Sequence, residues 1–165
     1  MSYSKTVVMV SSFRVKRILI VDDNPVILST LSSALKSKGY DVVTAIDGPE
    51  AFAAVSQEKV DLILLDIYFP PDISMSGNTW DAFPIMHWLR RVGGPHGRYI
   101  PVIVMSGAEP AEIENRCLAA GAVGYFQKPV RIPELLGTIQ EIFYPKVREV
   151  SLELVGASNS DHPRL

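Results

Sequence analysis

The chain has 165 residues, 47% of them hydrophobic and 21% charged, which is typical of a globular protein rather than a disordered one. The formal net charge of −2 offers no basic excess for binding nucleic acid. The single cysteine excludes an internal disulfide. The apolar patch at residues 7–10 is too short for a membrane span, and the N-terminus lacks the charged-then-apolar order of a signal peptide. We therefore expect a cytoplasmic protein that binds neither nucleic acid nor membrane.

Apolar runs of strand length alternate along the chain with segments of helical periodicity. Strands are predicted at residues 17–23, 41–45, 61–66, 100–107 and 123–126. Helices are predicted at residues 25–39, 48–59, 80–91, 109–120 and 131–143. The strands are almost continuously aliphatic, as expected of strands buried on both faces. This alternation predicts an α/β domain with a parallel sheet covered by helices on both sides.

Glycine and proline mark the ends of several predicted elements. Gly39 follows the first helix as its C′ residue, and Pro49 lies at the start of the second. Cys117 falls in the fourth predicted helix, where it is expected to pack as a small apolar residue. The connection at residues 67–79 is long and contains two prolines and a glycine, so we expect it to be irregular.

Polar side chains follow the ends of four predicted strands. Asp22 and Asp23 end the first strand, Asp66 ends the third, Ser106 ends the fourth, and Lys128 lies just beyond the fifth. In an open parallel sheet, ligands bind beyond the carboxyl ends of the strands. If the first and third strands are neighbours, three mutually repelling carboxylates converge there. A hard divalent cation such as Mg2+, together with the lysine, would compensate their charge.

Each of these residues also has an ordinary structural explanation. A strand-end aspartate is commonly a helix cap, Ser106 could cap the following helix, and Lys128 could be a solvated surface charge. The joint placement of two adjacent acids, a third acid, a hydroxyl and a lysine at successive strand ends is much more specific than any one of them. The set therefore indicates a functional site.

Because of this set of polar residues at its strand ends, the chain resembles the receiver domain of two-component response regulators. The matching pieces stand in the family's order: ILIVDDN at 18–24, LILLD at 62–66, VIVMSG at 102–107 and GAVGYFQKP at 121–129. The resemblance covers residues 16–143. It implies a flavodoxin-like, doubly wound (βα)5 fold with five parallel strands in the order 2-1-3-4-5.

The resemblance implies a phosphoacceptor that is not itself an enzyme. Asp66 would take a phosphoryl group from a phosphohistidine of a sensor histidine kinase or a histidine phosphotransfer protein. Asp23 resembles the direct ligand of Mg2+ or Mn2+, and Asp22 would act close by or through water. Asp66 and the backbone carbonyl of Tyr68 would complete the protein's share of the metal site.

The resemblance also assigns residues that sense the phosphoryl group. Lys128 would pair with its oxygens, and the peptide bond to Pro129 is typically cis in the family. Ser106 matches the switch hydroxyl, and Tyr125 matches the aromatic that swings inward, although an ordinary half-buried strand aromatic is an equal alternative. The signal would pass to an unknown downstream protein by contact, or the phosphoryl group would be relayed onward.

The chain departs from the family beside the expected site. Tyr68 stands two residues past the phosphoacceptor, where the family usually has a smaller or polar side chain, and the loop at 67–79 is longer than usual. We hypothesise that Tyr68 and Phe69 shield the acyl phosphate from water. The alternative is that Tyr68 points outward and contacts the kinase.

We expect three parts: an N-terminal extension at 1–15, the receiver domain at 16–144, and a C-terminal extension at 145–165 with a disordered end. With no room after residue 143 for an output domain, we expect a stand-alone receiver. The segments at 6–10 and 147–155 are apolar enough to form an added strand or helix. They could pack on the receiver or make a homodimer contact.

Three other functions remain to be weighed. A receiver-like scaffold that binds partners without phosphorylation would be expected to lack Asp66, Asp23 or Lys128, and all three are present. A haloacid-dehalogenase-like phosphatase needs an acid two residues past its nucleophile, where this chain has asparagine after Asp22 and tyrosine after Asp66. A flavin binder needs a Ser/Thr-rich phosphate loop, which the acidic DDNP does not provide.

Overall fold

The computed structural model describes residues 14–67, 83, 86–88, 99–107 and 110–145. Strands and helices alternate through this part of the chain: β1 Arg17–Val21, α1 Pro25–Lys36, β2 Asp41–Ala45, α2 Gly48–Gln57, β3 Leu62–Asp66, β4 Val102–Ser106, α3 Pro110–Ala119, β5 Gly124–Gln127 and α4 Ile132–Phe143. Residues 83 and 86–88 are also helical, within the range predicted for a further helix. Among the helices described, none has the length and apolar character needed to cross a membrane.

The strands form one parallel sheet in the order β2-β1-β3-β4-β5, which confirms the predicted fold. Because β1 and β3 are neighbours and Val21 lies opposite Leu65, Asp22 and Asp66 follow side by side. We call the side of the sheet where the strands end the carboxyl edge, and the side where they begin the amino edge. The carboxyl edge is where the sequence predicted the site.

Alternate residues of the strands pack into separate cores on the two faces of the sheet. In β1, Ile18 and Ile20 face α1 and α4, whereas Leu19 and Val21 face α2 and α3. All residues of β3 and β4 are buried, which explains their continuous aliphatic sequences. Burying one such side chain fully contributes about 1.5–3 kcal/mol. Cys117 belongs to α3, the fourth helix predicted from the sequence, and its side chain is fully buried in the core, as predicted.

The ends of α1 and α2 carry specific hydrogen bonds. The Asn24 side chain accepts from the backbone N–H groups of Val26 and Ile27, and Asp47 caps α2 in the same way. At the other end of α1, Gly39 adopts a φ of 84°, and the next residue donates its N–H to Leu35 O. This arrangement is a Schellman motif, so Gly39 closes the helix as predicted.

An ionic cluster ties the amino edge together. Asp61, immediately before β3, is almost completely buried and accepts from the Arg14 guanidinium and from the Arg17 backbone N–H at 2.9 Å. The Arg17 side chain in turn pairs with Asp41 at 2.6 Å and with Glu58. The cluster therefore joins the starts of β1, β2 and β3 to the end of α2.

Several predicted features lie outside the described residues. These are most of the irregular connection at 67–79, including Tyr68 and Phe69, and the two apolar segments at 6–10 and 147–155. The roles and boundaries expected for them stay predictions.

A pair of glycine substitutions tests the helix geometry. Gly39→Ala should lower the free energy of unfolding by about 1 kcal/mol, because an L-residue is strained at positive φ. Gly137→Ala, on the exposed side of α4, should instead raise it by about 0.5–1 kcal/mol, because alanine is the better helix former. An added Cβ meets no atom within 4 Å at either position, so steric crowding does not confuse the comparison. Urea unfolding measures the change in the free energy of unfolding for each variant. Changes of the same sign would contradict the positive φ of Gly39 or the helical position of Gly137.

Candidate functional site

Three carboxylates meet at the carboxyl edge of the sheet. Asp22 and Asp23 directly follow β1, and Asp66 is the last residue of β3. Each offers a ligand oxygen, and these oxygens all lie within 4.8 Å of one another. Asp22 is fully buried and Asp66 is 5% exposed, whereas Asp23 is open to solvent. The pattern at the strand ends therefore predicted a real cluster of oxygen donors.

Lys128 neutralises the two buried members of this cluster. Its Nζ lies 2.7 Å from Asp22 Oδ2 and 2.8 Å from Asp66 Oδ2, with only 17% of its side chain exposed. Burial alone lowers the pKa of Lys128, but the hydrogen bonds and charges of Asp22 and Asp66 outweigh it, so this pKa lies above its ordinary value. The stabilisation from the folded-state pairing is complete at neutral pH and is lost only as the pH rises through the elevated pKa.

Asp22 is held by the protein through both of its carboxylate oxygens. Oδ1 accepts from the Asn24 backbone N–H at 2.9 Å, and Oδ2 accepts from Lys128. Asp23, which follows it, is exposed to solvent. The arrangement thus separates a fixed acid from an accessible one.

Asn24 is a site residue that the sequence analysis did not assign. Its side chain begins α1, and its backbone N–H orients Asp22, so it couples the helix start to the acidic cluster. The signal was present in the sequence, because an asparagine directly before Pro25 is a common start of a helix.

Ser106 and Lys128 are joined through their backbones. Ser106 ends β4 fully buried, and its carbonyl accepts from the Lys128 N–H at 2.7 Å. The peptide bond between Lys128 and Pro129 is cis, as the resemblance implied. The expected switch serine and the lysine are therefore held at the same end of the β4–β5 pair.

Tyr125 lies in β5 opposite Val104 and packs against the core that α2 and α3 cover. Its hydroxyl is buried and has no hydrogen-bond partner among the residues that the structure describes. The half-buried ring fits both sequence interpretations, and its unsatisfied hydroxyl is a feature that neither of them predicted. The remaining expected site residue, Tyr68, lies beyond the described part of the chain.

Comparison with known proteins bears on this geometry. A family model described as the response regulator receiver domain matches residues 18–140. The chain belongs to this family. Its receiver region is 30% identical over 126 residues to the transcriptional regulatory protein PrrA of Mycobacterium tuberculosis, a match that covers 76% of this chain and 49% of PrrA. The chain thus spans about half the length of this relative.

Solved receiver structures agree with the fold. A CheY-like response regulator receiver domain protein from Methanospirillum hungatei is 31% identical with a TM-score of 0.65, over 78% of this chain and 94% of that one. A response regulator from Burkholderia pseudomallei is 25% identical with a TM-score of 0.63, over 76% of this chain and 66% of that one. The latter crystal structure contains a phosphorylated aspartic acid and a calcium ion.

Replacing the lysine should reveal how strongly the receiver domain depends on it. Without metal, Lys128→Met should lower the free energy of unfolding by about 3 kcal/mol, because it leaves the buried Asp22 carboxylate beside Asp66 without a cation. Lys38→Met, at an exposed position after α1, should change it by less than about 0.5 kcal/mol. Urea unfolding in a chelator measures both, and similar midpoints for the two variants would refute the neutralising role.

Removing the unsatisfied hydroxyl of Tyr125 should stabilise the domain, whereas removing the Lys128 ammonium should destabilise it. Tyr125→Phe should raise the free energy of unfolding by about 1 kcal/mol, because a buried donor without a partner is destabilising. Tyr99→Phe removes a hydroxyl from a side chain that is 66% exposed and should change little. Thermal and urea unfolding compare the two variants. A loss of stability in Tyr125→Phe would mean that its hydroxyl is hydrogen-bonded in solution.

Proposed function

We propose that this receiver domain is a phosphorylation switch in which Asp66 accepts a phosphoryl group from a phosphohistidine. The observation that carries the proposal is the convergence of Asp22, Asp23, Asp66 and Lys128 at one edge of the sheet. Asp66 stands at the end of a fully buried strand, so its position is rigid while its carboxylate faces the edge where a donor can approach. A rigid, ionised carboxylate is what a nucleophile of this type requires.

The transfer is a substitution at phosphorus. An oxygen of the Asp66 carboxylate supplies the electron pair for the new O–P bond, and the P–N bond to the imidazole breaks with its electron pair leaving on nitrogen. Lys128 already lies 2.8 Å from Asp66, where its ammonium can meet the negative oxygens of the incoming group. Such electrostatic stabilisation provides most of the catalysis in phosphoryl transfer.

The acidic cluster fits a hard divalent cation. Carboxylate oxygens are the ligands preferred by Mg2+, and Mn2+ accepts the same donor set. Asp23 and Asp66 would hold the ion directly, with Asp22 close by and the Tyr68 carbonyl as the further ligand that the family pattern implies. The ion would supply positive charge between two anionic reactants. The phosphorylated aspartic acid and calcium ion in the Burkholderia pseudomallei relative support this part of the proposal.

Ser106 and Tyr125 are proposed to convert the phosphoryl group into a changed surface. Phosphorylation adds about −1.5 to −2 charges beside Lys128. The Ser106 hydroxyl would turn toward these oxygens, and Tyr125 would follow into the vacated space. The backbone hydrogen bond from Lys128 to Ser106 supports this coupling, since it fixes the serine beside the lysine.

The partners follow from the same chemistry. The phosphodonor would be a sensor histidine kinase or a histidine phosphotransfer protein in the cytoplasm, and the output would be contact with a downstream protein or onward transfer. A phosphorylation-independent scaffold is the alternative function, and a cluster of three acids whose two buried members pair with a lysine favours the phosphoacceptor. The proposed shielding of the acyl phosphate by Tyr68 stays a prediction.

Intact mass spectrometry tests the phosphoacceptor directly. With Mg2+ and acetyl phosphate, the native protein should gain one phosphoryl group that hydroxylamine removes, because hydroxylamine cleaves acyl phosphates. Asp66→Asn should gain none, and chelation of the metal should abolish the gain in the native protein. Asp41→Asn, which changes a carboxylate at the amino edge, is the matched control and should behave like the native protein. Equal labelling of Asp66→Asn would exclude Asp66 as the acceptor, and no labelling of the folded native protein by acetyl phosphate or by a phosphohistidine donor would favour the scaffold.

A further inference from the structure

Exposed apolar side chains gather at the amino edge of the sheet, on the side away from Asp66. Most of the large apolar residues that the described structure leaves exposed belong to this set, which we call the amino-edge patch: Val15, Tyr99, Leu118, Val123 and Tyr144. Their exposed fractions run from 40% for Val123 to 66% for Tyr99. A group of apolar side chains at one end of a domain is typical of a surface that another segment covers.

The topology explains why these side chains share one edge. Tyr99 precedes β4, and Val123 precedes β5 and donates its backbone N–H to Val102 O at 2.8 Å. Leu118 is in the last turn of α3, which runs back from the carboxyl edge, and its carbonyl accepts from the Gly121 N–H at 3.0 Å. These three residues therefore surround the starts of β4 and β5.

The other part of the patch lies where the described chain begins and ends. Val15 precedes β1, and Tyr144 follows α4 directly. The Lys16 ammonium lies 5.5 Å from the centroid of the Phe143 ring, and this ring lies 5.8 Å from that of Tyr40. The start of β1 and the end of α4 are thus in contact, and both terminal segments leave the domain at the amino edge.

The chain itself supplies a segment suited to this surface. Residues 147–155, VREVSLELV, begin three residues beyond Tyr144 and contain the apolar side chains Val147, Val150, Leu152, Leu154 and Val155. Neighbouring strands lie about 4.8 Å apart, so the starts of β1 and β5 are separated by roughly 15 Å across β3 and β4. An extended segment of this length reaches up to about 30 Å, which is enough to cross the patch.

We propose that residues 147–155 lie across the amino edge of the sheet and cover the amino-edge patch of the same chain. The segment and the patch would each remove apolar surface from water, which is favourable and needs no specific partner atoms. Continuity of the chain favours this occupant over a second molecule, because attachment at Tyr144 gives the segment a high effective concentration at the patch. The covered edge is opposite Asp66, so the phosphoacceptor stays open to its donor.

Labelling of an introduced cysteine tests the proposal. Val123→Cys places a thiol in the patch, and the native Cys117 is fully buried and does not compete for reagent. In the full chain, this thiol should react slowly with a maleimide. Adding Leu152→Asp and Leu154→Asp should make it react several-fold faster, because charged residues weaken the covering of apolar surface. Adding Ser151→Asp instead should leave the rate nearly unchanged, since it introduces charge without removing an apolar side chain.

Two further measurements separate the possible outcomes. Ile46→Cys, 50% exposed beside the carboxyl edge, should react at the same rate with and without the two Leu→Asp changes, which also shows that the domain remains folded. Light scattering should find a monomer whose Val123→Cys protection does not depend on concentration. The proposal is overturned by equal Val123→Cys rates in the two chains, by protection that appears only in a dimer, or by protection that depends on residues 6–10 instead.

Discussion

The ammonium of Lys128 between Asp22 and Asp66 is the interaction on which the site depends. Two carboxylates so close in a buried setting repel each other, and the cation placed between them offsets this repulsion. The same cation lies where the oxygens of an incoming phosphoryl group would arrive. One side chain therefore stabilises the resting site and, in the proposed function, would also pair with the phosphoryl oxygens.

The parallel sheet brings the three members of this contact together. Asp22 and Asp66 are brought side by side by the pairing of β1 with β3, and Lys128 is fixed by its backbone hydrogen bond to Ser106 at the end of β4. Each partner thus comes from a different strand, and none is held by local sequence alone. Asn24 adds a local constraint by orienting Asp22 as α1 begins. Strand pairing in the sheet therefore sets the positions of the three charged residues, and the start of α1 sets the orientation of Asp22.

The sequence predicted most of the fold because strands buried on both faces have an unmistakable aliphatic pattern. It also predicted the cluster of acids, because parallel strands end at one edge. The Asn24 and Asp47 caps are local contacts that the sequence analysis did not assign. The pairing of the buried Asp61 with Arg14 was not predictable in this way, because it depends on which side chains meet across separate elements. The burial of the Tyr125 hydroxyl could not be predicted from the sequence either, since the position of a side chain depends on packing that periodicity does not encode.

The alternation of core side chains along β1 has an evolutionary consequence. Ile18 and Ile20 belong to one core, and Leu19 and Val21 to the other, so inserting or deleting a single residue would exchange both sets at once. The same shift would move Asp22 away from Asp66. Substitution among aliphatic residues should therefore be widespread at these positions during divergence, whereas changes in length should be confined to the connections between elements.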